Sequence, residues 1–412
     1  MSSAMALHLF FEVLAAVLVL FTLPLLLDLL LLTLAALWFA RSRKIGKPSQ
    51  ISGLKSLAVI IPAHNEEVLL ARAVQSLNIA KQNLHLQDAN IAVRTVVIAH
   101  NCTDATTSIA RNFGAEVLEL NAPALKGKHH ALAYAFDQLR DQFEAFFVID
   151  ADSLLSPEAL VAAADALQHY PAIQGRYTAI PEIRSPRSLL AGLAFRGMNV
   201  VRARGRMQLG LSCGIFGNGF ALRTELLDLV SCNTQSVAED LEFHLALLHA
   251  GVRVQYVESV MVQSEIANTR QQRARWEGGR LRLVLQSLPT MLLDVLRGRW
   301  RLIEPALDLA GLPLAQEVFL LLLALCLPFF WIRVYALAGF AILGLYVSTA
   351  AHAGPNPQAD FLALLRAPGY VFRKLVSLPA ILRSSRRQAE WVRTERGTQQ
   401  INTAPNNRKD HS

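Results

Sequence analysis

No lysine or arginine occurs in the first 40 of the 412 residues, and then "RSRKIGK" puts four basic residues into seven. A cleaved signal peptide wants basic residues ahead of a shorter apolar run, so that reading is disfavoured. A membrane segment followed by a cytoplasmic anchor fits the positive-inside rule. Cysteine is scarce: Cys102, Cys213, Cys232 and Cys326 are far apart and lack metal-ligand spacing. That argues against a disulfide framework and reads as reduced cytosolic thiols. Internal repeats are missing, which speaks against a symmetric transporter.

What is present is an apolar fraction of 53% beside a net charge of +8, an unusual pairing for a soluble protein. Basic residues flank the apolar segments, a bilayer is the expected partner, and nucleic acid is not. The run from Leu9 to Ala40 exceeds the ~20 residues that one crossing needs. It reads as one long crossing with Glu12 near the outer headgroups, or as a tight hairpin, because Pro24 lies near its midpoint. Asp28 is costly in lipid and is expected to face protein and pair with a later helix. Two further spans are expected at about Leu312–Trp331 and Val334–Ala351, joined by Ile332 and Arg333. The basic tail makes both flanks of this hairpin cytoplasmic. Three crossings with the N-terminus outside, as in a bacterial inner membrane, is the expected topology.

Between these segments "LAVIIPA", "TVVIA", "AEVLEL" and "AFFVIDAD" are short apolar runs separated by helical stretches. Such alternation predicts an α/β fold with a mostly parallel, helix-covered sheet. Ligands then bind beyond the carboxyl ends of the strands, where His64, Glu66, His100, Asp150 and Asp152 fall. The expected organisation is a membrane segment (1–40), a basic linker (41–55), a cytoplasmic α/β domain (56–280) and interfacial helices (281–311). A transmembrane hairpin (312–352), an amphipathic tail (353–396) and a disordered end (397–412) follow.

Asp150 and Asp152 in "FFVIDADSL" would repel one another unless a cation lies between them or one is protonated. Mg²⁺ or Mn²⁺ accepts such oxygens and shares its other positions with a diphosphate. The plainer reading is acids capping a turn, although Ser156-Pro157-Glu158 already starts the next helix. Glu239 and Asp240 open a helix, either as acids favoured by its dipole or as a general base. In "RQQRARWEGGRLR", Gln272, Arg275 and Trp276 share one helical face. That face offers an amide, a phosphate-binding guanidinium and a platform for a sugar, or else a basic interfacial helix. Gly278-Gly279 would allow a bend. Gly127-Lys128 at a helix start suits a phosphate. The neighbouring His129 and His130 diverge on a helix and give little support to a metal. "GIFGNG" holds three glycines in six residues, implying backbone close to a ligand or another strand.

In order, "IIPAHNEE", "VIAHNCTDAT", "KGKHHAL", "DAD", "GNGFALR", "AED" and "QRARW" resemble the motifs of membrane-bound family 2 glycosyltransferases. Relatives include synthases of cellulose, chitin, hyaluronan and poly-N-acetylglucosamine, and ceramide glucosyltransferases. The resemblance covers about residues 56–300, and "EWVRTERG" near the end is also similar. It implies a GT-A fold, with His64 packing near the uracil and Glu66 on the nucleotide side. Asp150 and Asp152 would be the D-x-D pair, with Asp152 the direct metal ligand, while Lys128 and Arg275 face the diphosphate. Asp240 would be the base, beside Glu239, and Gln272 and Trp276 would meet the acceptor sugar. The implied reaction is inverting, metal-assisted displacement from a nucleotide sugar to a lipid or saccharide acceptor.

A processive polysaccharide synthase, with partner subunits or a homo-oligomer supplying the channel, is the second reading. A non-catalytic scaffold or transporter component is the third. His100 stands where the family carries an Asp that accepts the uracil N3–H. A neutral imidazole can accept one such proton, which points to a uridine or thymidine donor over guanosine. Asp104 is expected to cap the following helix.

Overall fold

The computed structural model describes residues 3–42, 53–125, 127–180, 186–230, 239–265 and 270–376. The chain enters through one unbroken helix, α1 (Ser3–Ser42), which carries Pro24 inside it and so removes the hairpin alternative. At 1.5 Å per residue it is about 60 Å long, roughly twice a bilayer's hydrocarbon core.

Strands β1 (Ser56–Ala63), β2 (Ala92–His100), β3 (Glu116–Leu120) and β4 (Ala145–Val148) pair in parallel, in the order β3-β2-β1-β4. Helices α2 (Leu70–Gln87), α3 (Thr106–Asn112) and α4 (Lys128–Leu139) connect them. Period-two alternation divides the buried residues of β1 between two layers. Leu57, Val59 and Ile61 pack with α2 and with α5 (Ala159–His169), while Ala58 and Ile60 face α4.

Strands β5 (Ser153–Leu155), β6 (Ala172–Ile180), β7 (Phe220–Arg223) and β8 (Gln255–Glu265) complete the order β4-β7-β6-β8-β5. Four of the seven strand pairs are parallel, β6–β8 among them, as expected of a mostly parallel sheet, and the antiparallel pairs all lie beyond β4. The β4–β7, β6–β7 and β5–β8 pairs are antiparallel, so the eight-stranded sheet is mixed, as in a GT-A fold. One consequence decides the site: antiparallel β7 starts at the edge where parallel β4 ends.

Helix α6 (Pro186–Arg196), a π-helical turn (Gly197–Val201) and α7 (Arg202–Gln208) follow one another without a break, and the turn and α7 lie against α1. Gly205 permits the contact, because a Cβ there would stand 2.2 Å from the Leu32 carbonyl oxygen. Gly205→Ala is therefore expected to cost about 1–3 kcal/mol, as overpacking does. Gly344→Ala, which meets nothing within 4 Å, is the control. Thermal unfolding in detergent compares the two, and equal melting temperatures would refute the tight α1–α7 seam.

After α8 (Glu239–His249), helix α9 (Arg270–Leu296) continues unbroken through Gly278-Gly279. The backbone ladder tolerates such glycines at about 1 kcal/mol each. Leu283 and Met291 of α9 pack against α10 (Ile303–Ala310), while Leu285, Leu292 and Leu296 are exposed. The hairpin is also redrawn. Helix α11 (Leu314–Leu325) stops before Pro328, and α12 (Phe330–His352) begins at once, so the turn is not at Ile332-Arg333. Proline has no N–H to continue a helix, and its ring clashes with the preceding turn. At 12 residues, α11 alone is too short to cross; with the segment Trp300–Ala310 it forms a pair bent by 77°. Among the described residues two helices, Met5–Trp38 and Phe330–His352, are long and apolar enough to span a membrane. Helices α13 (Pro357–Leu364) and α14 (Ala367–Val376) follow. The expected disordered end, "EWVRTERG" and most of the basic linker lie outside the described residues.

Candidate functional site

The carboxyl ends of β1, β2 and β4 and the start of β7 form one edge, and the chain's polar motifs gather there. After β1 and β2 the backbone turns through Asn65 (φ 55°) and Asn101 (φ 51°), left-handed positions that asparagine tolerates. The two turns are stitched together. The Thr103 N–H donates to Asn65 Oδ1 at 2.8 Å, the Glu66 N–H donates to Thr106 Oγ1 at 2.8 Å, and His64 Nδ1 donates to the His100 carbonyl at 2.8 Å. Asp104 Oδ1 accepts the Thr106 N–H at 3.0 Å, the expected local capping role.

The His100 side chain is fully buried, and Nε2 donates to the Leu125 carbonyl at 2.8 Å. Burial is also the main cause that lowers its pKa, so the imidazole is neutral. As the last residue of β2 it follows the parity of Val96 and Ile98, which pack with α4, and Asn101 makes the turn beyond it. His129, partly buried beside His130, is likewise lowered to about 4, by burial first and by its imidazole neighbours second.

The acidic centre assembles from three elements. Lys128, first residue of α4, bonds through Nζ to both Asp150 Oδ1 and the Gly217 carbonyl. It therefore holds the end of β4 to the loop before β7, a tie the expected diphosphate contact did not include. Gly217 and Gly219 take φ of 73° and 69°, conformations suited to glycine. A Cβ on Gly217 would stand 3.5 Å from Asp240 Oδ2, so the loop also touches the start of α8. Asp240 Oδ1 accepts the Leu241 N–H at 2.8 Å, which fixes the carboxylate.

Electrostatics follow from this crowding. Burial raises the pKa of Asp240, and burial followed by the adjacent Asp240 pushes Glu239 up to about 7. Lys128 is desolvated, yet Asp150, Glu239 and Asp240 hold its pKa above the ordinary value. Asp150, Glu239 and Asp240 face one lysine, an excess of negative charge that favours a cation. Among the described residues no three His, Cys, Asp or Glu side chains converge on a metal position. Two carboxylates at a strand end fit an ion such as Mg²⁺, which completes its shell from a substrate diphosphate and water.

Asn218, Gln174, Ser153 and Tyr177 support this centre without having stood out in the sequence. Asn218 Oδ1 accepts the Asp150 N–H at 3.1 Å, and its Nδ2 donates to Ser153 Oγ at 2.7 Å. Gln174 Nε2 donates to the Asn218 carbonyl at 2.8 Å, and its Oε1 accepts the Phe216 N–H at 2.9 Å. Tyr177 is buried near both Asp150 and Asp152, and its hydroxyl pairs with Ser264 Oγ at 2.7 Å. The "GNG" glycines were the only signal for this clamp. Asn218→Ala strands the Asp150 N–H and the Ser153 hydroxyl, at about 1–3 kcal/mol per buried group. Lower thermal stability with a raised donor KM is expected; unchanged donor KM would dismiss the clamp. Beside the acids, Leu132, Phe136, Ile215, Phe220 and Phe243 line an apolar pocket. Gln272, Arg275 and Trp276 lie on the backbone of α9, but their side chains fall outside the described residues.

Residues 145–351, half of the chain, match the glycosyl transferase family group 2, and residues 58–228 match glycosyl transferase family 2. The probable glycosyltransferase YdaM of Bacillus subtilis (strain 168) is 23% identical over 251 residues. That match covers 57% of this chain and 57% of the relative, so the chain spans little more than half of that protein's length. Mannosyltransferase PcManGT from Pyrobaculum calidifontis, solved with GDP-Man and Mn²⁺, superposes with a TM-score of 0.48 at 18% identity, over 90% of this chain and 97% of its own. Glucosyl-3-phosphoglycerate synthase from Mycobacterium tuberculosis, solved with Mn²⁺, UDP and its product, gives 0.40 at 18% identity, over 57% and 81%. With half of its residues matched by the family group, the chain belongs to glycosyltransferase family 2.

Proposed function

We propose that this protein is a membrane-bound inverting glycosyltransferase that moves a sugar from a nucleoside diphosphate sugar to a lipid or lipid-linked acceptor. The observation that carries the reading is the acidic centre, in which Lys128 ties Asp150 to Gly217 and the same glycine lies against Asp240. Asp152 and Asp150 would hold a divalent cation, which when bound neutralises charge on the leaving diphosphate. Asp240 takes the proton of the acceptor hydroxyl as that oxygen attacks the anomeric carbon. The bond to the diphosphate breaks on the opposite face, so configuration inverts. Lys128 holds Asp150 in place and adds positive charge at the same edge.

The apolar helices and the exposed leucines of α9 support a membrane acceptor. Two full-length apolar helices also offer little wall for a polymer path, which favours single transfer over processive synthesis. PcManGT was solved with GDP-Man and the mycobacterial enzyme with UDP. His100 would favour uridine by accepting one base N–H, and both bases belong in the test. Purified protein in lipid nanodiscs would be given UDP- and GDP-sugars with a membrane lipid extract, and labelled product sized. One labelled sugar per acceptor is expected; a ladder of products indicates the polymerase, and no nucleotide release from any donor refutes the reading.

A further inference from the structure

We propose that Asp28 of the membrane helix α1 is a positioning residue for sugar transfer, acting through Arg202 and Asp308 on α9 and on the loop before β7. The proposal rests on the glycosyl-transfer reading above. Six charged side chains from four helices meet in one buried cluster: Asp28, Arg202 and Arg206 of α7, Glu304 and Asp308 of α10, and Arg280 of α9. Three are cations and three are anions, so the cluster is balanced only when complete. Arg202 pairs with Asp28 and lies 2.7 Å from Asp308 Oδ1. Arg206 lies 2.6 Å from Glu304 and 2.8 Å from Asp308 Oδ2. Arg280 bonds to the Asp308 carbonyl and lies 3.4 Å from Oδ1.

Asp308 is thus shared by three guanidinium groups, and each reaches a different part of the molecule. Arg280 follows Trp276 by one helical turn, so its anchorage fixes the rotation of α9. Arg206 also donates to the Cys213 carbonyl at 3.2 Å. Four residues on, Gly217 receives Lys128 and Asn218 receives the Asp150 N–H. Arg204, on the other face of α7, is bound by Glu258 of β8 at 2.6 Å. Helix α7 is therefore gripped by the sheet on one side and by the membrane helix on the other.

A buried ion pair contributes little net stability compared with apolar packing, but removing one partner strands the other. Without the Asp28 charge, Arg202 keeps only Asp308, and Asp308 must divide itself differently among its three partners. The expected result is a shift at Arg280 and Arg206, which anchor α9 and the loop before β7. Misplacement of this kind acts on the rate of a positioned reaction more than on the capture of its donor.

The test uses the full chain in nanodiscs, with Asp28→Asn as the isosteric variant. We expect kcat to fall about tenfold or more with donor KM within about twofold. Hydrogen exchange should quicken in 279–290 and 213–219 and stay unchanged in β1, β2 and β3. The double variant Asp28→Asn/Arg202→Gln removes the stranded charge and should recover part of both losses. Unchanged kcat in a folded Asp28→Asn variant overturns the proposal, as does loss of protection throughout the sheet. Should Asp28→Asn fail to fold, a folded Arg202→Gln variant with normal kcat overturns it equally. A wild-type protein inactive on every donor refutes the transfer reading instead, and the exchange pattern still decides whether α1 is coupled to the site.

Discussion

Asp240→Asn should lower sugar transfer by roughly a thousandfold while the affinity for the nucleoside diphosphate stays within about threefold. Asparagine preserves the size of the side chain and the oxygen that accepts the Leu241 N–H at 2.8 Å, so the start of α8 keeps its shape. What it removes is the ability to accept a proton. General-base catalysis contributes about 10²–10⁴ in rate, and that range sets the expected loss. Rapid-quench turnover, compared with calorimetric binding of UDP and GDP, separates the two quantities. If binding falls as far as turnover, Asp240 belongs to the donor site and not to proton transfer.

The pH profile gives the same assignment an independent sign. Burial raises Asp240, and burial with its acidic neighbour moves Glu239 from its ordinary 4.5 to about 7. A base with a raised pKa is lost as pH falls, so kcat/KM should fall on acidification sooner than an ordinary aspartate would make it. Stability must run the other way. A carboxyl raised on folding stabilises the folded state fully below its unfolded pKa and loses that contribution as pH rises through about 7. Activity and melting temperature should therefore move in opposite directions between roughly pH 5 and pH 7.

Much of this edge was legible from local pattern. Val59, Ile60 and Ile61 or Val96, Val97 and Ile98 cannot be hidden except in a covered strand, and the polar residues that end such runs must emerge together. Asp150 and Asp240 are found at strand and helix termini for that reason. What local pattern could not give was any partner distant in sequence. Lys128 meets Asp150 and Gly217, and Arg202 meets Asp28, 174 positions away. The sequence does mark Asp28 as an acid that needs a partner, but nothing nearby says that α7 supplies it. His100 shows the same limit: its place at a strand end is legible, but its hydrogen bond to the Leu125 carbonyl, 25 residues on, is not. The hairpin turn was misjudged because apolar continuity hid Pro328, whose missing N–H ends α11 six residues before the expected loop.

Removing the cation should have an effect as large as removing the base. Excess chelator is expected to reduce transfer by about two to four orders of magnitude, restored by Mn²⁺ or Mg²⁺, because charge on the leaving diphosphate needs several kcal/mol of stabilisation. Lys128 cannot supply this alone. Its ammonium is already committed to Asp150 and to the Gly217 carbonyl, and it faces Glu239 and Asp240 as well. Asp152→Ala should give a comparable loss and weaken Mn²⁺ binding, read by titration with the nucleoside diphosphate present. Asp150→Ala should do the same and also release Lys128, so that the loop at Gly217 exchanges faster. That pair of variants distinguishes a metal position from a purely structural one: a structural role predicts faster exchange for Asp150→Ala with Mn²⁺ affinity unchanged in both. Full turnover in excess chelator would leave Asp150 and Asp152 as a tether for Lys128 and the strand end, and the charge on the leaving group would then fall to the lysine and the arginines of α9.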